Sequence, residues 1–103
     1  MRPVVVKLGG SVITDKTREF SIRKTTVRRL AKELKVEERM VLVHGGGSFG
    51  HPLARRYKLN EGFKHQRQLM GFAKVQRAMI LLNSYILEEL HRAGIPAVSV
   101  QPS

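Results

Sequence analysis

Two short apolar runs, each ending in glycine, constrain this chain more than any other feature. Residues 3–8 (PVVVKL) run straight into Gly9 and Gly10, and residues 40–44 (MVLVH) run straight into Gly45, Gly46 and Gly47. Both runs are rich in valine and lack polar alternation, the pattern of strands covered on both faces in a parallel sheet. Between them Val27, Leu30, Ala31 and Leu34 recur at helical spacing. Ser21 is placed to cap that helix, which should start at residue 22 or 23 and end within residues 35–38. Strand, helix, strand in this order is a βαβ unit, so the two strands should be parallel with a right-handed crossover.

The rest of the chain follows the same grammar. Residues 11–16 alternate polar and apolar before a turn at residues 17–20, which suggests a small hairpin or an irregular excursion. Residues 49 or 50 to 57 suit a short helix with Pro52 in its first turn, where a missing N–H costs little. Residues 58–64 read as a loop. A long helix is expected over residues 65–92, with Leu69, Phe72, Ala73, Met79, Ile80, Asn83, Ile86, Leu87 and Leu90 as its apolar stripe. Ala93 and Gly94 stop it. Residues 95–100 (IPAVSV) are expected to form a third strand. Three parallel strands leave open edges, so further chain or a partner should complete the sheet.

Composition narrows the chemistry. There is no cysteine among the 103 residues, hence no disulfide framework and no thiolate metal site. No apolar run reaches the length of a membrane span, and the N-terminus reads as a strand rather than a signal peptide. A cytoplasmic location and no membrane partner are expected. The net charge of +11 favours an anionic partner. Its basic residues are spread along the chain, as at Arg23 and Lys24, Arg28 and Arg29, and Arg55 and Arg56. They suit solvated helix faces better than a nucleic-acid footprint, since no reading motif accompanies them.

In an open parallel sheet, ligands bind beyond the carboxyl ends of the strands, and both glycine loops emerge there. Glycine lets backbone N–H groups approach an anion, and the second loop also leads into a helix N-terminus. Neither loop matches the Walker A pattern, or the G-x-G-x-x-G dinucleotide fingerprint in the right context. Lys7 interrupts an apolar strand directly before the first loop, a costly place for a lysine unless it meets an anion. Spacing alone leaves Lys16 a solvated turn residue.

Lys7 to Lys16 (KLGGSVITDK), paired with His44 to Pro52 (HGGGSFGHP), resembles the amino acid kinase superfamily, and within it the archaeal-type isopentenyl phosphate kinases. The resemblance implies a three-layer α/β sandwich with a mainly parallel sheet. Residues 1–103 would be its N-terminal, phosphoacceptor-binding part, and the nucleotide-binding C-terminal half would be absent. It further implies ATP-dependent phosphorylation of isopentenyl phosphate, with Mg²⁺ arriving on ATP and no protein-only metal site. The full-length protein would be a homodimer, and this chain alone would be inactive.

By that resemblance Lys7, Leu8, Gly9, Gly10, Ser11 and Gly47 hold the ATP phosphates, and Lys16 and Lys7 stabilise the transferring group. Gly46, Gly50 and His51 hold the acceptor phosphate. An acceptor that is already ionised needs no strong base, so His51 reads as a phosphate hydrogen-bond donor. Leu69, Phe72, Ala73, Gln76 and Met79 are candidates for the wall around the isoprenoid tail. His44 should buttress its loop, while His65 and His91 should lie on the surface. Two alternatives stay open: a fosfomycin-type or carboxylate kinase of the same superfamily, and a basic nucleic-acid-binding module.

Overall fold

The computed structural model describes residues 4–15, 17–34 and 39–100. Strand β1 (Val4–Leu8) and strand β2 (Met40–His44) pair in parallel, with Val4 opposite Met40 and Leu8 opposite His44. The connection between them carries helix α1 (Gly10–Ile13) and helix α2 (Lys24–Leu34). Beyond β2 come a 3-10 turn (Gly47–Phe49), helix α3 (His51–Arg56), a second 3-10 turn (Leu59–Glu61) and helix α4 (Arg67–Arg92). The expected α/β class and parallel crossover are both present.

A single core lies on one face of the strand pair. Leu8 joins Ile13, Val27, Ala31, Phe49, Leu53, Ala78, Leu82, Ile86 and Leu90, with Val6 and Leu42 packed against them. The other face carries Val5, Lys7, Val41 and Val43, which are all exposed. Strand alternation explains the split, because residues two apart share a face. The unbroken apolar runs suggested cover on both faces, but among the described residues the helices supply it on one.

Helix α4 also differs from expectation. Its buried positions are Gln68, Gly71, Ala78, Leu82, Ile86, Glu89 and Leu90, whereas Leu69, Phe72 and Ile80 are exposed. The helix carries two apolar stripes, and the one with the smaller residues faces the core. A side chain at Gly71 would run into the Tyr57 ring, 2.6 Å from its Cβ. The small residue is what lets α3 and α4 approach.

Gln68 is a buried polar group that the sequence reading missed. Its Nε2 faces the carbonyls of Tyr57, Lys58 and Gly62 at 2.9–3.2 Å. Its Oε1 accepts from the amides of Lys64 and His65. One side chain thus satisfies the loop between α3 and α4, so its burial carries no unpaired polar group. Glu89 is also buried, at 3% side-chain exposure, and meets Arg28 of α2 at 2.9 Å. The hydrogen bond from Arg28 holds its carboxyl below the ordinary glutamate range, against the opposing effect of burial.

The excursion after β1 is the irregular one of the two expected forms: residues 10–13 make one helical turn, and an antiparallel bridge between Thr14 and Ile22 closes it. Two local expectations need correction. Ser21 does not cap α2. Its backbone is bonded to Ser48 instead, and the Arg23 carbonyl receives the first helical bond, from Val27. Residues 95–100 form no strand, because the two backbone bonds donated there, Ile95 to Leu90 and Ala97 to Ile95, are local. A strand needs a neighbour for its ladder, and none among the described residues lies alongside. The expected end of α2, residues 35–38, lies outside the described residues.

Candidate functional site: two interlocked glycine loops

Both loops do emerge beyond the carboxyl ends of the strands, and they lock into each other. The Gly45 amide donates to the Leu8 carbonyl at 3.1 Å, which continues the strand pairing into the loops. Gly10 then packs directly on Gly47. A Cβ at Gly10 would strike the Gly47 amide nitrogen and sit 2.8 Å from its Cα. Gly47 adopts φ +49°, a left-handed conformation that costs a side chain energy. A Cβ there would also strike the Thr14 hydroxyl and reach 2.5 Å from the Gly10 carbonyl oxygen.

Thr14 is the pin of this junction. Its hydroxyl donates to the Gly10 carbonyl at 2.5 Å and accepts from the Ser48 amide at 3.1 Å. Behind it, the Phe20 amide donates to the Ser48 carbonyl, and the Phe20 ring meets Phe49 edge-on at 5.8 Å. These contacts hold Phe20 at φ 53°, a strained value for an aromatic residue. Arg23 Nε donates to the Thr14 carbonyl at 2.9 Å. A buried hydroxyl, an arginine and an aromatic pair therefore clamp the two loops together from below.

From α4, Met79 comes up beneath the second loop. Its Sδ lies 2.7 Å from where a Gly46 Cβ would stand and 3.7 Å from the corresponding point at Gly50. His44 acts as the expected buttress. Its Nδ1 donates to the Gly45 carbonyl at 3.0 Å, and its Nε2 lies 3.1 Å from Asn83 Oδ1 on α4.

Above the junction opens a cleft of about 520 Å³, lined by Gly10, Ser11, residues 45–48, His51, Pro52 and Arg55. Among the described residues, the amides of Gly10, Ser11, Gly46 and Gly47 donate to no acceptor in the protein. Together with His51, Arg55 and the Ser11 hydroxyl, they form a set of donors. Among the described residues no carboxylate lines this cleft, and no cluster of histidine and acidic residues is able to hold a metal. Such a donor set suits an anion, and phosphate above all.

The expected site residues separate into groups. Gly10, Ser11, Gly46, Gly47 and His51 line the cleft together. Gly9 stands just before α1, and Gly50 just before α3. Leu8 is buried in the core, so only its backbone reaches the junction. Lys7 is exposed on the outer face of β1, beside Val5 in alternation. Lys16 lies outside the described residues. Of the tail-wall candidates, Met79 reaches the loop, while Leu69, Phe72, Ala73 and Gln76 form an exposed face of α4 leading away from it. His65 and His91 are exposed, and His91 Nε2 donates to the Ala97 carbonyl at 2.8 Å. The sequence reading missed Thr14 and Arg55. A threonine at the end of a four-residue helix gives no periodic signal, and Arg55 was hidden beside Arg56.

The profile of the amino acid kinase family matches residues 2–103. An isopentenyl phosphate kinase of Methanocaldococcus jannaschii is 41% identical over 111 aligned residues, covering 96% of this chain and 43% of the relative. One from Methanothermobacter thermautotrophicus is 40% identical, covering 97% of this chain and 40% of the relative. The crystal structure of a T. acidophilum isopentenyl phosphate kinase product complex superposes with a TM-score of 0.86 at 37% identity, over 97% of this chain and 42% of that one. The chain thus spans about two fifths of the length of the curated relatives it matches.

Proposed function

Because the chain belongs to the amino acid kinase family, we propose that it carries the acceptor-phosphate site of an ATP-dependent isopentenyl phosphate kinase. One observation carries this reading: the interlocked loops gather unpaired backbone donors and His51 into a single cleft that no carboxylate lines. The relatives named for this activity support the choice of acceptor.

In the proposed reaction, an oxygen of isopentenyl phosphate bonds to the γ-phosphorus of ATP as the bond to the β–γ bridging oxygen breaks. The products are isopentenyl diphosphate and ADP. Two anions must meet in line, so catalysis is positioning and charge stabilisation. His51 and the Gly46 amide hold the acceptor phosphate. Gly10, Ser11 and Gly47 present donors to the nucleotide phosphates, and Lys16 is assigned the charge that develops during transfer, whereas Lys7, exposed on the outer strand face, stands away from this cleft. Mg²⁺ would arrive on ATP rather than be held by this chain's side chains, and would supply charge neutralisation at the phosphates, since the cleft offers hydrogen-bond donors rather than cation ligands. The isoprenoid tail lies along the apolar face of α4 from Met79 toward Phe72 and Leu69. We assign the full-length enzyme to the cytoplasm as a homodimer.

The test is a calorimetric titration of the chain with isopentenyl phosphate and with isopentenol. Binding of the phosphate ester alone, weakened about tenfold in His51→Ala, supports the reading. Equal binding of the alcohol, or an unchanged affinity in His51→Ala, contradicts it. This chain alone with ATP and isopentenyl phosphate should give no turnover, and clear formation of ADP would overturn that part of the assignment.

A further inference from the structure

We propose that Arg55 is a second side-chain contact for the acceptor phosphate, and that with His51 it sets the cleft's preference for a dianionic group. This rests on the reading of the cleft as an acceptor-phosphate site. In the sequence Arg55 and Arg56 are indistinguishable neighbours. On a helix, adjacent residues point about 100° apart, while residues four apart share a face. Helix α3 therefore separates the pair. Arg55 stands one turn beyond His51 and lines the cleft with it, whereas Arg56 turns away and pairs with Glu19 at 2.9 Å.

Charge accounting favours a ligand for Arg55. Among the described residues the ion pairs engage Arg28, Arg56 and Arg92, and none engages Arg55. No acidic side chain lines the cleft to neutralise it. Its guanidinium offers a planar fork that fits two phosphate oxygens. A phosphate monoester carries about −1.5 to −2 near neutral pH and three acceptor oxygens, so a histidine donor and an arginine fork one turn apart can both engage it, whereas the arginine fork alone takes up both oxygens of a carboxylate. Lys7, on the outer strand face, does not line the cleft and cannot substitute for Arg55 there.

The experiment is a set of NMR titrations of the chain with isopentenyl phosphate, inorganic phosphate and acetate. The proteins are the unchanged sequence, Arg55→Ala, Arg55→Lys, Arg56→Ala and His51→Ala. Arg55 is exposed, so amide spectra and melting temperatures should show that its variants remain folded. Arg55→Ala should weaken both phosphates about tenfold. Arg55→Lys should recover part of that loss, and Arg56→Ala should recover the unchanged affinity. Acetate should bind weakly and respond little to Arg55→Ala. Unchanged phosphate affinity in Arg55→Ala, alongside a loss in His51→Ala, would overturn the role of Arg55 and leave the acceptor site standing. Loss of inorganic phosphate in Arg55→Ala, with no protein binding the isopentenyl ester, would keep the arginine contact and remove the proposed acceptor. An equal loss in Arg56→Ala would show general surface charge and overturn the proposal. No binding of either phosphate to the unchanged chain would overturn both readings.

Discussion

The two glycine loops follow equivalent strands, yet they need their glycines for different reasons. In the first loop, Gly9 has ordinary extended dihedrals, φ −63° and ψ 144°, and a Cβ there would meet only Val12 Cγ2 at 3.8 Å. Gly10 is glycine because the second loop's backbone lies where its side chain would be. In the second loop, Gly47 needs both its left-handed backbone and its missing side chain. Gly46 is different again, since the atom it would strike is the flexible end of Met79. Among Gly9, Gly10, Gly46 and Gly47, one is thus dispensable to the fold, one can be accommodated, and two hold the cradle together.

That ranking can be broken by substitution. Gly47→Ala should have the largest effect, about 3 kcal/mol of lost stability, combining left-handed strain with a clash against fixed neighbours. Urea unfolding measures it, and an effect below that of Gly10→Ala would reverse the ranking. Gly10→Ala should cost about 2 kcal/mol, because the obstacle is backbone that cannot rotate aside. Gly46→Ala should cost about 1 kcal/mol, and combining it with Met79→Ala should be less than additive in a double-mutant cycle, since the second change removes the obstacle. Strict additivity would show that Met79 is not what fills that space.

A smaller effect should come from the contact that ties α4, and so the floor of the second loop, to α2. The Glu89 carboxyl is held below its ordinary range by the Arg28 hydrogen bond. A depressed folded-state value means that this stabilisation is complete above the ordinary glutamate range. It is lost as pH falls through the folded-state value. Arg28 is half-exposed, so water screens the pair and limits its worth. Glu89→Gln should flatten the acid limb of stability against pH, and an unchanged limb would mean that other carboxylates dominate it. Smallest of all, Gly9→Ala should be neutral or stabilising by up to about 0.5 kcal/mol, because its backbone suits alanine and the unfolded chain loses freedom. A substantial loss there would mean that the two glycines of the first loop are equivalent after all.

The same comparison shows what was legible in the sequence. The βαβ unit, the position of both loops and the gathering of Gly10, Ser11, Gly46, Gly47 and His51 were readable, because strand and helix periods and glycine clusters are local signals. The grip of Thr14 was not, since it joins residues 14 and 48 through one hydroxyl. The distinction between Arg55 and Arg56 depends on the rotational phase of a six-residue helix, and a one-residue uncertainty in its start would reverse it. The apolar run at residues 95–100 has strand propensity but no partner to pair with among the described residues. Helix α4 carries two apolar faces, and only packing decides which one is buried.

The central claim is that the interlocked loops form one phosphate cradle. The most direct measurement is a map of backbone amide shifts across the chain on addition of isopentenyl phosphate. The account predicts the largest saturable changes at Gly10, Ser11, Gly46, Gly47 and His51 together, absent with isopentenol. Changes confined to one loop, or centred instead on Arg67 and Lys74, which stand over the Tyr57 ring at 5.3 and 5.4 Å, would contradict it.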